Sequence, residues 1–63
     1  MSVGSKIREI RLSRNMTQLE LAAKVNVDSS FICQIERGSK LPNIVLSKEI
    51  ADALDCDIKD FMD

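Results

Sequence analysis

Few side chains in this 63-residue sequence are equipped to make or break bonds. Histidine is absent, which removes the commonest general base and the commonest metal ligand together. Cys33 and Cys56 lie 23 positions apart, without the Cys-x-x-Cys or Cys/His spacing of a zinc or redox site, and read as two free thiols. There is no glycine-rich phosphate loop and hardly space for a substrate pocket. An enzyme is therefore the weakest class, and no metal or cofactor is expected. What remains is a set of polar and basic side chains between positions 14 and 43: Arg14, Gln18, Ser29, Ser30, Gln34, Arg37, Lys40 and Asn43. These groups donate and accept hydrogen bonds or carry positive charge. Their chemistry is recognition.

The elements that must position them read as helices throughout. Apolar residues at helical spacing, Ile7, Ile10 and Leu12, mark a first helix over residues 4–13 that stops at Asn15, a residue tolerant of left-handed backbone. Thr17 and Glu20 form a capping box for the second helix, and Met16 and Leu21 occupy the two positions of a hydrophobic staple. Leu19, Ala22 and Val25 are expected to continue its apolar face. Asn26 then supplies a left-handed turn, Val27 an apolar plug and Asp28 the N-cap of a third helix over residues 28–37, which Gly38 ends. Two short helices joined through so tight a turn form a helix-turn-helix arrangement, which holds the second helix at a steep angle suited to a DNA major groove. Asn43 caps a fourth helix over residues 44–54 with Ile44, Ile50, Ala51 and Leu54 inward. A last turn behind Asp57 places Ile58, Phe61 and Met62 on one side.

Length and composition fit one domain over residues 1–63, with no room for a second, effector-sensing one. At 44% hydrophobic and 30% charged residues the chain is globular. No run is long and apolar enough for a membrane span or signal peptide, so a cytoplasmic location is expected. The net charge of −1 argues at first against a nucleic-acid partner. Its distribution argues the other way. Residues 1–40 carry seven basic and four acidic side chains, a balance of +3, whereas residues 41–63 carry two basic and six acidic ones, a balance of −4. That polarity suits a molecule presenting its first part to phosphates.

The segments IREIR, TQLELAAKV, NVDSSFICQIERG, LPN and IADAL, in this order and spacing, resemble the Cro/repressor-type (Xre family) helix-turn-helix domain over about residues 4–62. The resemblance implies an all-α, compact five-helix lambda-repressor-like DNA-binding domain, with the helix-turn-helix at helices 2 and 3. It also implies a sequence-specific transcriptional regulator, most often a repressor. Asn26 and Asp55 stand where glycine is usual, and both residue types can adopt the required turn. Asp28 replaces the more usual Ser or Thr cap and puts a negative charge near the DNA side.

With Val27, Ile32 and Ile35 inward, Ser29, Ser30, Gln34, Phe31 and Cys33 are left on the outer side of helix 3 as the candidates for base contact. Gln34 is the strongest candidate for base readout, because glutamine pairs with adenine through both donor and acceptor, while Ser reads permissively. Phe31 would either meet a thymine methyl or join the core. The resemblance puts Gln18, Lys40 and Asn43 beside the phosphate backbone, with Arg14 and Arg37 adding positive field; Asn43 as a plain N-cap is compatible with this. It further implies a partly buried structural ion pair between Arg11 and Glu36. Ile58, Phe61 and Met62 are candidates for a homodimer contact that would set two readout helices one DNA turn apart. The expected partners are double-stranded DNA and a second copy of the chain. The alternative is an antitoxin-like or other protein-interaction module on the same fold, motivated by the acidic, apolar C-terminal segment.

Overall fold

The computed structural model describes residues 2–62. Four α-helices follow one another: α1 (Val3–Ser13), α2 (Gln18–Lys24), α3 (Ser29–Arg37) and α4 (Ile44–Ala53). The chain then closes with a single 3-10 turn, Ile58–Asp60. The fifth helix expected from sequence is thus only a turn, held by Asp57 and Asp60 capping each other's backbone amides. It is long enough to swing Phe61 into the core, where the ring is 1% exposed. The architecture is otherwise the expected all-α one.

Helix starts follow local chemistry. Ser2, Thr17 and Asn43 each accept a first-turn amide hydrogen bond, and the Thr17–Glu20 box is reciprocal, at 3.0 and 2.9 Å. Asp28 is different. It occupies the N-cap position of α3, and its carbonyl accepts the Phe31 amide at 3.0 Å, but its carboxylate makes no cap bond. Helix ends share one device: Asn15, Asn26, Gly38 and Asp55 all have positive φ, between 55° and 86°. At each, the next amide reaches back five residues to the helix, as Val27 does to the Ala22 carbonyl at 3.0 Å. These paired bonds satisfy carbonyls that would otherwise lie unpaired.

The hub is α3, against which both α1 and α2 pack; α4 packs on α2 and carries the terminal turn. Ile7, Leu21, Ile32, Ile35, Ile50, Leu54 and Phe61 fill the centre. At the α1–α3 crossing, a Cβ on Gly4 would lie 1.9 Å from the Ile35 carbonyl oxygen. Only glycine permits that approach. Two expected core residues fall outside: Leu19 is 69% and Ile44 58% exposed. Each sits two positions before the buried stripe of its helix, which begins at Leu21 in α2 and Leu46 in α4. At 3.6 residues per turn, two positions rotate a side chain about 200°, so both point away from the core. Ser47 takes a place in the α4 stripe instead, fully buried and with its hydroxyl unpartnered.

Candidate nucleic-acid interface

The turn at Asn26 (φ 60°) ends α2 and lets α3 begin three residues later. Along α3, Ile32, Ile35 and Glu36 are buried, while Ser30 and Arg37 are exposed and Ser29, Phe31, Cys33 and Gln34 half-exposed. Amphipathic spacing alone produces this division, since the inward residues recur every three to four positions. Among the described residues, no side-chain hydrogen bond uses Ser29, Ser30 or Gln34. Their donors and acceptors remain free for a partner. Phe31 packs partly on the core, which takes up much of its ring.

Beneath this face lies a buried ion pair. Arg11 Nε donates to Glu36 Oε2 at 2.6 Å and Arg11 Nη2 to Glu36 Oε1 at 3.0 Å, a two-pronged geometry. Arg11 Nη1 donates to the Met16 carbonyl at 2.6 Å, so one guanidinium ties the end of α1, the turn before α2 and the end of α3. Gln18 joins it through Nε2, which donates to Glu36 Oε1 at 3.0 Å. A carboxylate only accepts, so the amide nitrogen must face Glu36. One N–H and the carbonyl oxygen of Gln18 remain. Gln18 and Ser29 line a common open groove with Asn15 and Thr17, which brings the start of α2 beside the start of α3.

The other expected contacts divide. Lys40, Asn43 and Arg37 are exposed, with Asn43 Oδ1 accepting the Leu46 amide at 2.8 Å and its amide nitrogen left over. Arg14 must be reassigned. Its Nε donates to the Leu54 carbonyl at 2.8 Å and its Nη2 to the Asp55 carbonyl at 3.4 Å, so it caps the C-terminus of α4, where unpaired carbonyls attract a cation. Phe61 is likewise corrected, because a ring sealed in the core offers nothing to a partner. Ile58 and Met62 are half-buried against the same core. Sequence reasoning missed the Gln18 arm, which spans 18 residues, and the exposed apolar residues Leu41 and Val45. The latter had a signal: Leu41 precedes Pro42, which disfavours helix for it, and Val45 sits off the stripe Leu46–Ile50–Leu54.

Charge on the remaining groups follows from geometry. The Thr17 amide and hydroxyl hold the Glu20 carboxyl below its ordinary value. Burial, reinforced by Asp60, pushes the Cys56 thiol up, which keeps it protonated and unreactive.

The helix-turn-helix family model matches residues 7–61. The chain belongs to this family. Its homologues are helix-turn-helix transcriptional regulators. It is 38% identical over 61 residues to the control protein C.BamHI of Bacillus amyloliquefaciens, covering 95% of this chain and 75% of that protein. It is 39% identical over 54 residues to the immunity repressor protein of Bacillus phage phi105, covering 86% of this chain but only 38% of the repressor's length. Among solved structures, the restriction-modification controller protein C.AhdI from Aeromonas hydrophila superposes with a TM-score of 0.91 at 28% identity, over 95% of this chain and 91% of that one. In helix-turn-helix terms, α2 is the supporting helix and α3 the readout helix. The protein is a DNA-binding regulator of transcription.

Proposed function

We propose that the protein is a sequence-specific repressor that docks α3 in the major groove and binds as a dimer on an inverted repeat, in the cytoplasm where its DNA lies. The observation carrying this reading is the outer face of α3: among the described residues Ser29, Ser30 and Gln34 make no internal side-chain hydrogen bonds, on a helix whose other face is locked by Ile32, Ile35 and the buried Glu36. A helix held that rigidly loses little freedom on reading bases. Gln34 supplies the discriminating contact, Ser29 and Ser30 read permissively, and Gln18, Arg37, Lys40 and Asn43 hold the phosphates. The names of the phage immunity repressor and of the two control proteins support a regulator that works by occupying DNA. Among the described residues no helix is long and apolar enough to cross a membrane.

Selection of bound duplexes from a random library at one fixed, near-physiological salt concentration tests the proposal. An enriched inverted repeat is expected, with Gln34→Ala costing about 1–3 kcal/mol on that site and little on random DNA. A pool that stays random sinks the reading in favour of a protein-interaction module. Equal loss on both DNAs removes Gln34 from the readout.

A further inference from the structure

Among the described residues, five N-cap positions open the four helices and the terminal turn, and at four of them the side chain accepts a backbone amide: Ser2, Thr17, Asn43 and Asp57. Asp28 does not. Its backbone is that of a cap, with φ −74° and ψ 144°, and its carbonyl accepts the Phe31 and Ile32 amides at 3.0 and 3.3 Å. The residue itself stays exposed, and its carboxylate has neither a hydrogen bond nor an ion pair among the described residues. Asp28 is followed by Ser29, which lines the groove shared with Gln18. An unspent negative charge therefore stands at the edge of the surface assigned above to DNA.

We infer that Asp28 is a specificity-determining residue, its carboxylate accepting a hydrogen bond from the N4 amino group of a cytosine in each half-site. The inference rests on the docking of α3 proposed above and adds to it the base that a charged side chain selects. A carboxylate brought among phosphates is repelled, and a donor on the DNA is what can offset that cost. An ionised carboxylate accepts and never donates. In the major groove guanine presents two acceptors, N7 and O6, and thymine presents O4, so both reject it. Adenine has its N6 amino group beside N7, an acceptor that opposes the second carboxylate oxygen. Cytosine offers its amino group without an acceptor alongside. The charge thus lowers affinity for DNA at large and recovers it where that one donor lies, which widens the gap between a site and its competitors. Ser29 and Ser30 read permissively and Gln34 suits adenine, so Asp28 supplies a preference that none of them carries.

Because the carboxylate caps nothing, its removal should spare the fold. Asp28→Asn and Asp28→Ala are expected to keep the helical circular dichroism of the wild type, and asparagine is itself a good N-cap. Selection from a random duplex library is run side by side for the wild type and Asp28→Asn at one salt concentration. Wild-type sites are expected to hold a cytosine in each half-site whose preference falls about tenfold in the variant. The rest of the site stays the same, and affinity for random DNA rises. A duplex carrying 2-pyrimidinone at that position, which lacks the N4 amino group, should bind the wild type about tenfold more weakly than the cytosine duplex. Asp28→Ala should not tell the two duplexes apart. Identical base preferences in wild type and variant, or equal losses on the 2-pyrimidinone duplex, overturn the assignment and leave the DNA reading standing. Preferences that move at several positions at once also overturn it, because they report a displaced α3. A wild-type pool that stays random overturns both proposals together.

Discussion

Glu36 illustrates how one side chain can be placed by three neighbours at once. It is buried, accepts two bonds from Arg11 and one from Gln18, and lies one position beyond Ile35 on the readout helix. The Arg11–Glu36 partnership was legible in the sequence through the family resemblance, but the Gln18 arm was not, since no local pattern reports an 18-residue contact. A buried pair contributes little net stability, because two charges lose their water, but removing one partner strands the other. Arg11→Met is therefore expected to cost about 3–5 kcal/mol in urea unfolding, and Arg11→Met/Glu36→Leu to recover most of that. A double variant as unstable as the single one would show that the Met16 carbonyl, not the Glu36 charge, is what Arg11 serves. Cys33, half-exposed on α3, is a free thiol.

At the scale of elements, most of the fold could be read from short-range rules, and its departures have geometric causes. The capping box, the two left-handed asparagines and Gly38 mark helix boundaries because each satisfies or frees specific backbone groups within five residues. Asp28 escaped that logic: its type suits an N-cap, yet the carboxylate stays in solvent, leaving a negative charge at the tip of the readout helix. Leu19 and Ile44 were misplaced because apolar character was counted without the full 200° rotation that separates them from their stripes. The Thr17–Glu20 box carries a pH dependence whose sign is fixed. The folded state holds the Glu20 carboxyl below its ordinary 4.5, so its contribution is complete above that value and is lost as pH falls through the lowered folded one. Unfolding of the wild type followed from pH 6 to pH 2 should lose stability in the lower half of this range, and Glu20→Gln should flatten part of that loss. Equal slopes for the two proteins would mean that the box is not formed in solution.

For the whole molecule, the division of charge is the feature that bears on the proposed orientation on DNA. The acidic segment over residues 41–63 holds α4 and the terminal turn, while seven of the nine basic side chains precede it, and this asymmetry was visible in the sequence without any structure. What the sequence could not show is which cations are free. Arg14 and Lys40 look alike in composition, yet the first is bound to the Leu54 and Asp55 carbonyls and the second is exposed with no bond of its own among the described residues. Counterion release counts only charges that meet phosphates. Lys40→Ala should therefore lower the slope of log affinity against log salt by about one unit on every sequence. Arg14→Ala should leave that slope unchanged and instead lower thermal stability, because α4 loses its cap. Titrating both variants against one duplex at four salt concentrations, with melting curves alongside, separates the two roles. An Arg14→Ala slope reduced as far as that of Lys40→Ala would return Arg14 to the phosphate face, and the charge division would then extend across the end of α1.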